Sequence, residues 1–203
     1  PSRLSSRQPP SLSTCDDTTV AVRDLPVRRS TRTRPARSRE STIGTLTVLA
    51  AGPSDLRATV APVFDAIGAR TIWVADVPGA AHRLKLVCNA WVLSVVAGTA
   101  QSIALAGDLG LDPQLFLDTI AGGALDSPYT QLKGRAMMAG DYPPAFTLGG
   151  AVKDAALIAD ALRGAGSDAR LMTVLHALFA DAAEAGHAAE DMAAVAEVLR
   201  AST

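Results

Sequence analysis

Lys85 and Asn89 stand four residues apart in the segment Gly79-Ala80-Ala81-His82-Arg83-Leu84-Lys85-Leu86-Val87-Cys88-Asn89. Four residues is about one turn of α-helix, so the two side chains stack on one face. That face continues through Val92, Val96 and Thr99, which makes it a stripe to be buried. A lysine set against buried apolar surface gives up hydration of its charged form, and proton exchange near neutral pH comes within its reach. An asparagine one turn away both donates and accepts, and can hold a hydroxyl or a carbonyl beside the amine. Lys-x-x-x-Asn is a weak pattern in isolation, however. A plainer account, with Lys85 snorkelling at a helix start and Asn89 bonded to backbone, is favoured by spacing alone.

The elements that must position this pair are legible around it. Thr45-Leu46-Thr47-Val48-Leu49-Ala50-Ala51 reads as a buried strand closed by Gly52-Pro53. Ser54 is placed to cap a helix with Leu56, Val60, Val63, Phe64 and Ile67 on one side, and Pro62 should kink or restart it. Gly68 ends that helix, and Thr71-Ile72-Trp73-Val74 is a second strand. Strand–helix–strand at this spacing is a piece of a larger α/β sheet. From Gly79 onward the pattern is helical, beginning with a helix from Ala80 to Gly107, about 40 Å long. Residues 86–107 carry no charge, which raises a membrane span; Asn89, Ser94, Thr99, Gln101 and Ser102 fall on several faces and argue for burial between protein layers. Asp112-Pro113 opens a helix to Ala121, and others are expected at Tyr129–Met138, Thr147–Leu162, Ala169–Ala185 and Asp191–Ala201. The expected fold is mainly α, an all-α domain preceded by a remnant of an α/β sheet.

Composition supports helix and divides the chain. Hydrophobic residues make up 48% and aromatics only 4%, so alanine, leucine and valine must carry the packing. Residues 1–42 hold nine arginines against four acids, a net of +5, so the remainder carries −6 of the total −1. That Ser/Thr/Pro/Arg-rich segment has neither period, and is read as disordered. Its arginines show no helical face and no aromatics accompany them, so a nucleic-acid arm is not expected. Three regions follow: 1–42 without a foldable pattern, 43–77 as the α/β remnant and 78–203 as the all-α domain. Cys15 and Cys88 form neither a disulfide framework nor a metal spacing, and no apolar signal core precedes them; a cytoplasmic location is expected, with no membrane partner.

Gly79-x-x-x-x-x-Lys85-x-x-x-Asn89, opening a long apolar helix just after a strand, resembles the motif of the β-hydroxyacid dehydrogenases, which include 3-hydroxyisobutyrate, tartronate semialdehyde and 6-phosphogluconate dehydrogenases. Gly44-Thr45-Leu46 precedes a strand as it does there. Leu109-Gly110-Leu111-Asp112 resembles the segment joining the long helix to the next. Phe146-x-x-x-x-x-x-Lys153-Asp154 resembles the second lysine motif, and Gly186-His187-x-x-Glu190-Asp191 the C-terminal signature. These matches run in order from residue 44 to about residue 200.

The resemblance implies an NAD(P)-dependent oxidoreductase moving hydride between nicotinamide and a small hydroxy acid, with NAD or NADP as cofactor. By it, Lys85 is the catalytic acid–base residue, Asn89 holds the substrate, and Lys153 reaches the cofactor while Asp154 anchors its helix. An ordinary solvated charge pair is the equal alternative for Lys153-Asp154. The resemblance also implies a Rossmann domain upstream and association of the helical domain into a homo-oligomer. Ala81 stands where the family usually has glycine, and Cys88 where it often has asparagine. No G-x-G-x-x-G occurs before Gly44; Asp24-Leu25-Pro26-Val27 echoes a family strand, but Arg28-Arg29-Ser30 follows it where a Ser-Gly-Gly belongs. A truncated or frameshifted gene is therefore expected, with weak or absent activity in the chain as given. Two other readings compete. One is an imine reductase-like enzyme, against which the lysine counts; the other is a non-catalytic helical oligomerisation module.

Overall fold

The structure is a computed structural model and describes residues 19–23 and 46–200. It falls into two compact units: a sheet unit, whose described residues are 19–23 and 46–82, and a helical unit, whose described residues are 83–200.

In the sheet unit, β1 (Thr19–Arg23) pairs antiparallel with β2 (Leu46–Ala51), and β2 pairs parallel with β3 (Gly68–Ala75). The central strand β2 is buried continuously from Thr47 to Ala51, as expected of a strand with neighbours on both edges and cover on both faces. A single turn of 3-10 helix (Ser54–Leu56) leads into α1 (Arg57–Ile67), so the βαβ piece read from the sequence is present. Two details differ. Ser54 makes no side-chain cap and lies inside the 3-10 turn, and Pro62 sits within α1 without interrupting it. Pro62 is exposed, so the carbonyl it leaves unpaired can be satisfied by water. Phe64 packs against Val48 and Ala50, and its ring meets Trp73 at 5.7 Å. Arg57 lies over Trp73 at 5.0 Å and pairs with Asp76. Gly68 is required by close approach: a Cβ there would come within 2.7 Å of Val48 Cγ2.

β1 lies inside the segment read as lacking an element, and is a correction to that reading. Its Thr-Val-Ala-Val run is rich in β-branched residues, and an available edge on β2 supplies the partner that a lone strand lacks. It ends just before Asp24-Leu25-Pro26-Val27, where the family strand is echoed. The rest of residues 1–42 lies outside the described residues.

The helical unit is built on α2 (Ala80–Asp108). Its inward stripe is Asn89, Val92, Leu93, Val96, Ala97, Thr99, Ala100, Ile103 and Ala104, all buried and spaced at three and four. The hydroxyls of Ser94, Thr99 and Ser102 donate to the carbonyls of Ala90, Val95 and Gly98, so none needs an outside partner. By length and composition α2 could also cross a membrane; its inward stripe is packed into the core of the helical unit. Gly110 closes it in the left-handed region at φ +72°, with Leu111 N–H donating to the Ala106 carbonyl. Next come α3 (Gln114–Ile120) and α4 (Pro128–Ala139), the latter capped by Ser127 with proline in its first turn. α5 (Leu148–Gly164) is capped by Thr147, and α6 (Arg170–Ala182) follows.

The C-terminal elements differ from expectation. The helix read as Ala169–Ala185 ends at Ala182 and widens into a π turn (Ala183–His187), with Gly186 at φ +109°. The helix read as Asp191–Ala201 is a 3-10 helix (Met192–Val198) whose residues Met192 to Ala196 are wholly buried. A 3-10 helix is narrower than an α-helix, and a Met-Ala-Ala-Val-Ala run lets it thread between α4, α5 and α6. Val195 within it and Phe179, Met137 and Leu148 of the same core are fully buried.

Candidate active site

Lys85 and Asn89 lie one turn apart on α2, as the spacing required. Asn89 is only 6% exposed, whereas Lys85 is half-buried and takes part in neither hydrogen bond nor ion pair among the described residues. The stripe beyond them, Val92, Val96 and Thr99, is buried. Asn89 is thus buried at the head of the stripe, and Lys85, one turn before it, is half-buried.

α5 supplies the second half. Asn89 Nδ2 donates to Asp154 Oδ2 at 2.6 Å, a contact between residues 65 apart in the chain. A carboxylate oxygen accepts, so the amide nitrogen must face it; the bond therefore fixes which end of the amide points where. Asp154 is 14% exposed and turns inward, while Lys153 is 73% exposed, with its Nζ 3.8 Å from the other Asp154 oxygen. At that distance and exposure the ion pair adds little, and Lys153 keeps its reach. Asp154 ties α5 to α2, as a residue that anchors its helix would, and Lys153 is exposed to solvent.

A second polar centre in the same unit escaped the sequence reading. Lys133 Nζ on α4 donates to Asp191 Oδ1 at 2.6 Å, with the two side chains 6% and 4% exposed. Asp191 Oδ1 also accepts from Ala193 N at 3.0 Å, and Oδ2 from Ala145 N and Phe146 N at 3.2 Å each. Burial by itself pushes the Asp191 carboxyl up, but the Lys133 bond, the Ala193 amide, the Lys133 charge and the Phe146 amide outweigh it and hold it below the usual carboxylate range. The clue was in the sequence: Thr130, Lys133, Gly134 and Met137 are the buried positions of α4, so Lys133 falls on an inward stripe. Nearby, Tyr142 donates to Glu197, which also pairs with Arg200, and Arg200 reaches the Met137 carbonyl. Burial and the Glu197 carboxylate raise the Tyr142 hydroxyl far above its ordinary value. His187 and Glu190 of the C-terminal signature meet at 2.7 Å. The signature residues hold structure, around the buried Asp191.

A family model described as the NAD-binding domain of NADP-dependent 3-hydroxyisobutyrate dehydrogenase matches residues 79–199. The chain is 31% identical over 159 residues to glyoxylate/succinic semialdehyde reductase 2, chloroplastic, of Arabidopsis thaliana, covering 78% of this chain and 44% of that protein. It is 26% identical to L-threonate dehydrogenase of Escherichia coli (strain K12), covering 79% and 53%. Among solved structures, 3-hydroxyisobutyrate dehydrogenase from Salmonella typhimurium superposes with a TM-score of 0.70 at 27% identity, covering 75% of this chain and 54% of that one. The Mycobacterium tuberculosis 3-hydroxyisobutyrate dehydrogenase with L-serine gives 0.69 at 25%, covering 77% and 56%. The chain spans about half the length of the relatives it matches.

Proposed function

The chain belongs to the NADP-dependent 3-hydroxyisobutyrate dehydrogenase family, through the part described as NAD-binding, and we propose from this membership that its Lys85–Asn89 face is the proton-handling site of an oxidoreductase acting on small hydroxy acids. The observation that carries the reading is the 2.6 Å bond from Asn89 to Asp154, which joins two motif segments that the sequence keeps far apart. Lys85, without an ion-pair partner among the described residues, is free to take the proton of a substrate hydroxyl during oxidation and to return it during reduction. Asn89, oriented by Asp154, steadies the oxygen beside the amine. When bound, a nicotinamide cofactor, NAD or NADP, supplies the hydride chemistry. The residues present suit such a group, since the exposed Lys153 ammonium beside Asp154 can reach it.

The test is a titration of the isotopically labelled chain with 3-hydroxyisobutyrate, followed by NMR. Shifts concentrated at Lys85 and the Asn89 side-chain amide are expected, and Asn89→Ala should abolish them. A response elsewhere in the helical unit with none at these two residues would overturn the reading. Titration with a cyclic imine in parallel separates the hydroxy-acid enzyme from an imine reductase.

We also place homo-oligomer formation on the helical domain. The outward side of α2 exposes Val87, Trp91 and Leu105, with Trp91 72% exposed. Three large apolar side chains exposed on one helix support a protein partner over water.

A further inference from the structure

Lys133 and Asp191 are buried together, and neither takes part in the chemistry proposed above. A buried ion pair gains little net stability, because removing both charges from water consumes most of their attraction. What such a pair can supply is geometry, and the hydrogen bonds show where. Asp191 Oδ2 accepts from the backbone of Ala145 and Phe146, the last two residues before the Thr147 cap of α5. The same stretch is stitched at three more points. Leu148 N donates to the Glu190 carbonyl at 2.8 Å, Gly149 N to the Ala188 carbonyl at 2.9 Å, and Met192 N to the Phe146 carbonyl at 2.9 Å. Phe146 lies against Gly150, where a Cβ would come within 2.8 Å of the ring. The first turn of α5 thus has little room to slide or rotate. Asp154 lies further along the same helix and reaches Asn89 at 2.6 Å.

We propose that the Lys133–Asp191 pair is a positioning device for the candidate active site: by fixing the start of α5 it sets the rotation that brings Asp154 onto Asn89. The proposal rests on the reading of that face as the substrate site. A hydrogen bond is lost by about 3.5 Å, so a slip of roughly 1 Å carried along a rigid helix is enough to release the Asn89 amide. Lys133 holds the carboxylate in place; without it, Asp191 keeps only backbone donors, Ala145 and Phe146 in the segment it is meant to fix and Ala193 two residues along its own chain.

The experiment uses the 203-residue chain with nitrogen-15 label. It reads exchange of the Asn89 side-chain amide by magnetisation transfer from water, beside the thermal midpoint. In Lys133→Met/Asp191→Asn, which removes both charges and leaves neither stranded, that exchange should speed up roughly tenfold while the chain stays folded at the temperature of measurement. Lys133→Arg, which retains the charge, should bring exchange back towards the parent rate. A folded double variant whose Asn89 amide exchanges at the parent rate overturns the proposal, because the pair would then serve stability alone. If the double variant does not fold, the reciprocal measurement decides. Coupling between two sites is equal in both directions, so Asp154→Ala must speed exchange at the Ala145 and Phe146 amides, and unchanged rates there overturn the proposal. Neither readout uses turnover or substrate, so failure of the dehydrogenase reading stays distinguishable from failure of this one.

Discussion

At the scale of single residues, the candidate site is a half-buried amine one turn from a buried amide, and the two tolerate change differently. Lys85→Ala removes the proposed proton carrier from a half-buried position and should leave the fold intact. Where the oxidation is measurable, kcat should fall by about a hundred- to ten-thousand-fold, with cofactor affinity little changed; steady-state kinetics separate the two. Asp154→Ala removes the carboxylate that accepts from the buried Asn89 amide, and losing a hydrogen bond to a charged group costs about 1.5–3 kcal/mol, read as a lower urea midpoint. Lys85 and Asn89 were legible because i and i+4 are neighbours on any helix. The Asn89–Asp154 bond was not, since it depends on how α2 and α5 pack, and no periodicity specifies which faces of two distant helices meet. Lys133 was legible in principle, as a charge on the inward stripe of α4, but identifying its partner needed the fold.

At the scale of elements, Asp191 joins α4, the approach to α5 and the 3-10 helix, and its acidity makes that junction sensitive to pH. A carboxyl held below its ordinary 3.8 in the folded chain binds a proton more readily once unfolded. Its contribution to stability is therefore complete above 3.8 and drains away as pH falls through the lower folded value. Urea midpoints measured from about pH 5 to about pH 2 should show this loss, and Asp191→Asn should flatten that part of the curve. Asp191→Ala strands the Lys133 ammonium and should cost about 3–5 kcal/mol at neutral pH. Helices with clear punctuation were read closely: α2 ends one residue past the expected Gly107, where Gly110 turns the chain. The last two helices were read too simply, because an alanine run has helical propensity in either form, and burial chose the narrower one. β1 was missed for the opposite reason, since five residues of strand pattern carry weight only once an edge is there to receive them.

At the scale of the whole molecule, the outward side of α2 is the feature that reaches beyond the chain. Trp91→Glu places a charge on that surface, at a position 72% exposed. Sedimentation velocity should show a shift towards monomer at unchanged thermal midpoint; an unchanged sedimentation coefficient would remove α2 from the interface. The division of charge between the first 42 residues and the rest is visible in composition, yet composition had no bearing on which side of α2 would face outward.

The Ala193-Ala194-Val195-Ala196 thread has a consequence for anyone surveying variants of this chain. Its side chains have no exposed surface to grow into, and adding even one methylene to a filled interior typically costs about 1–3 kcal/mol. A saturation-mutagenesis survey scored on growth or turnover will therefore mark these alanines as intolerant as any reactive group. Soluble yield separates the two: losses at the thread will follow protein abundance, and losses at Lys85 will not.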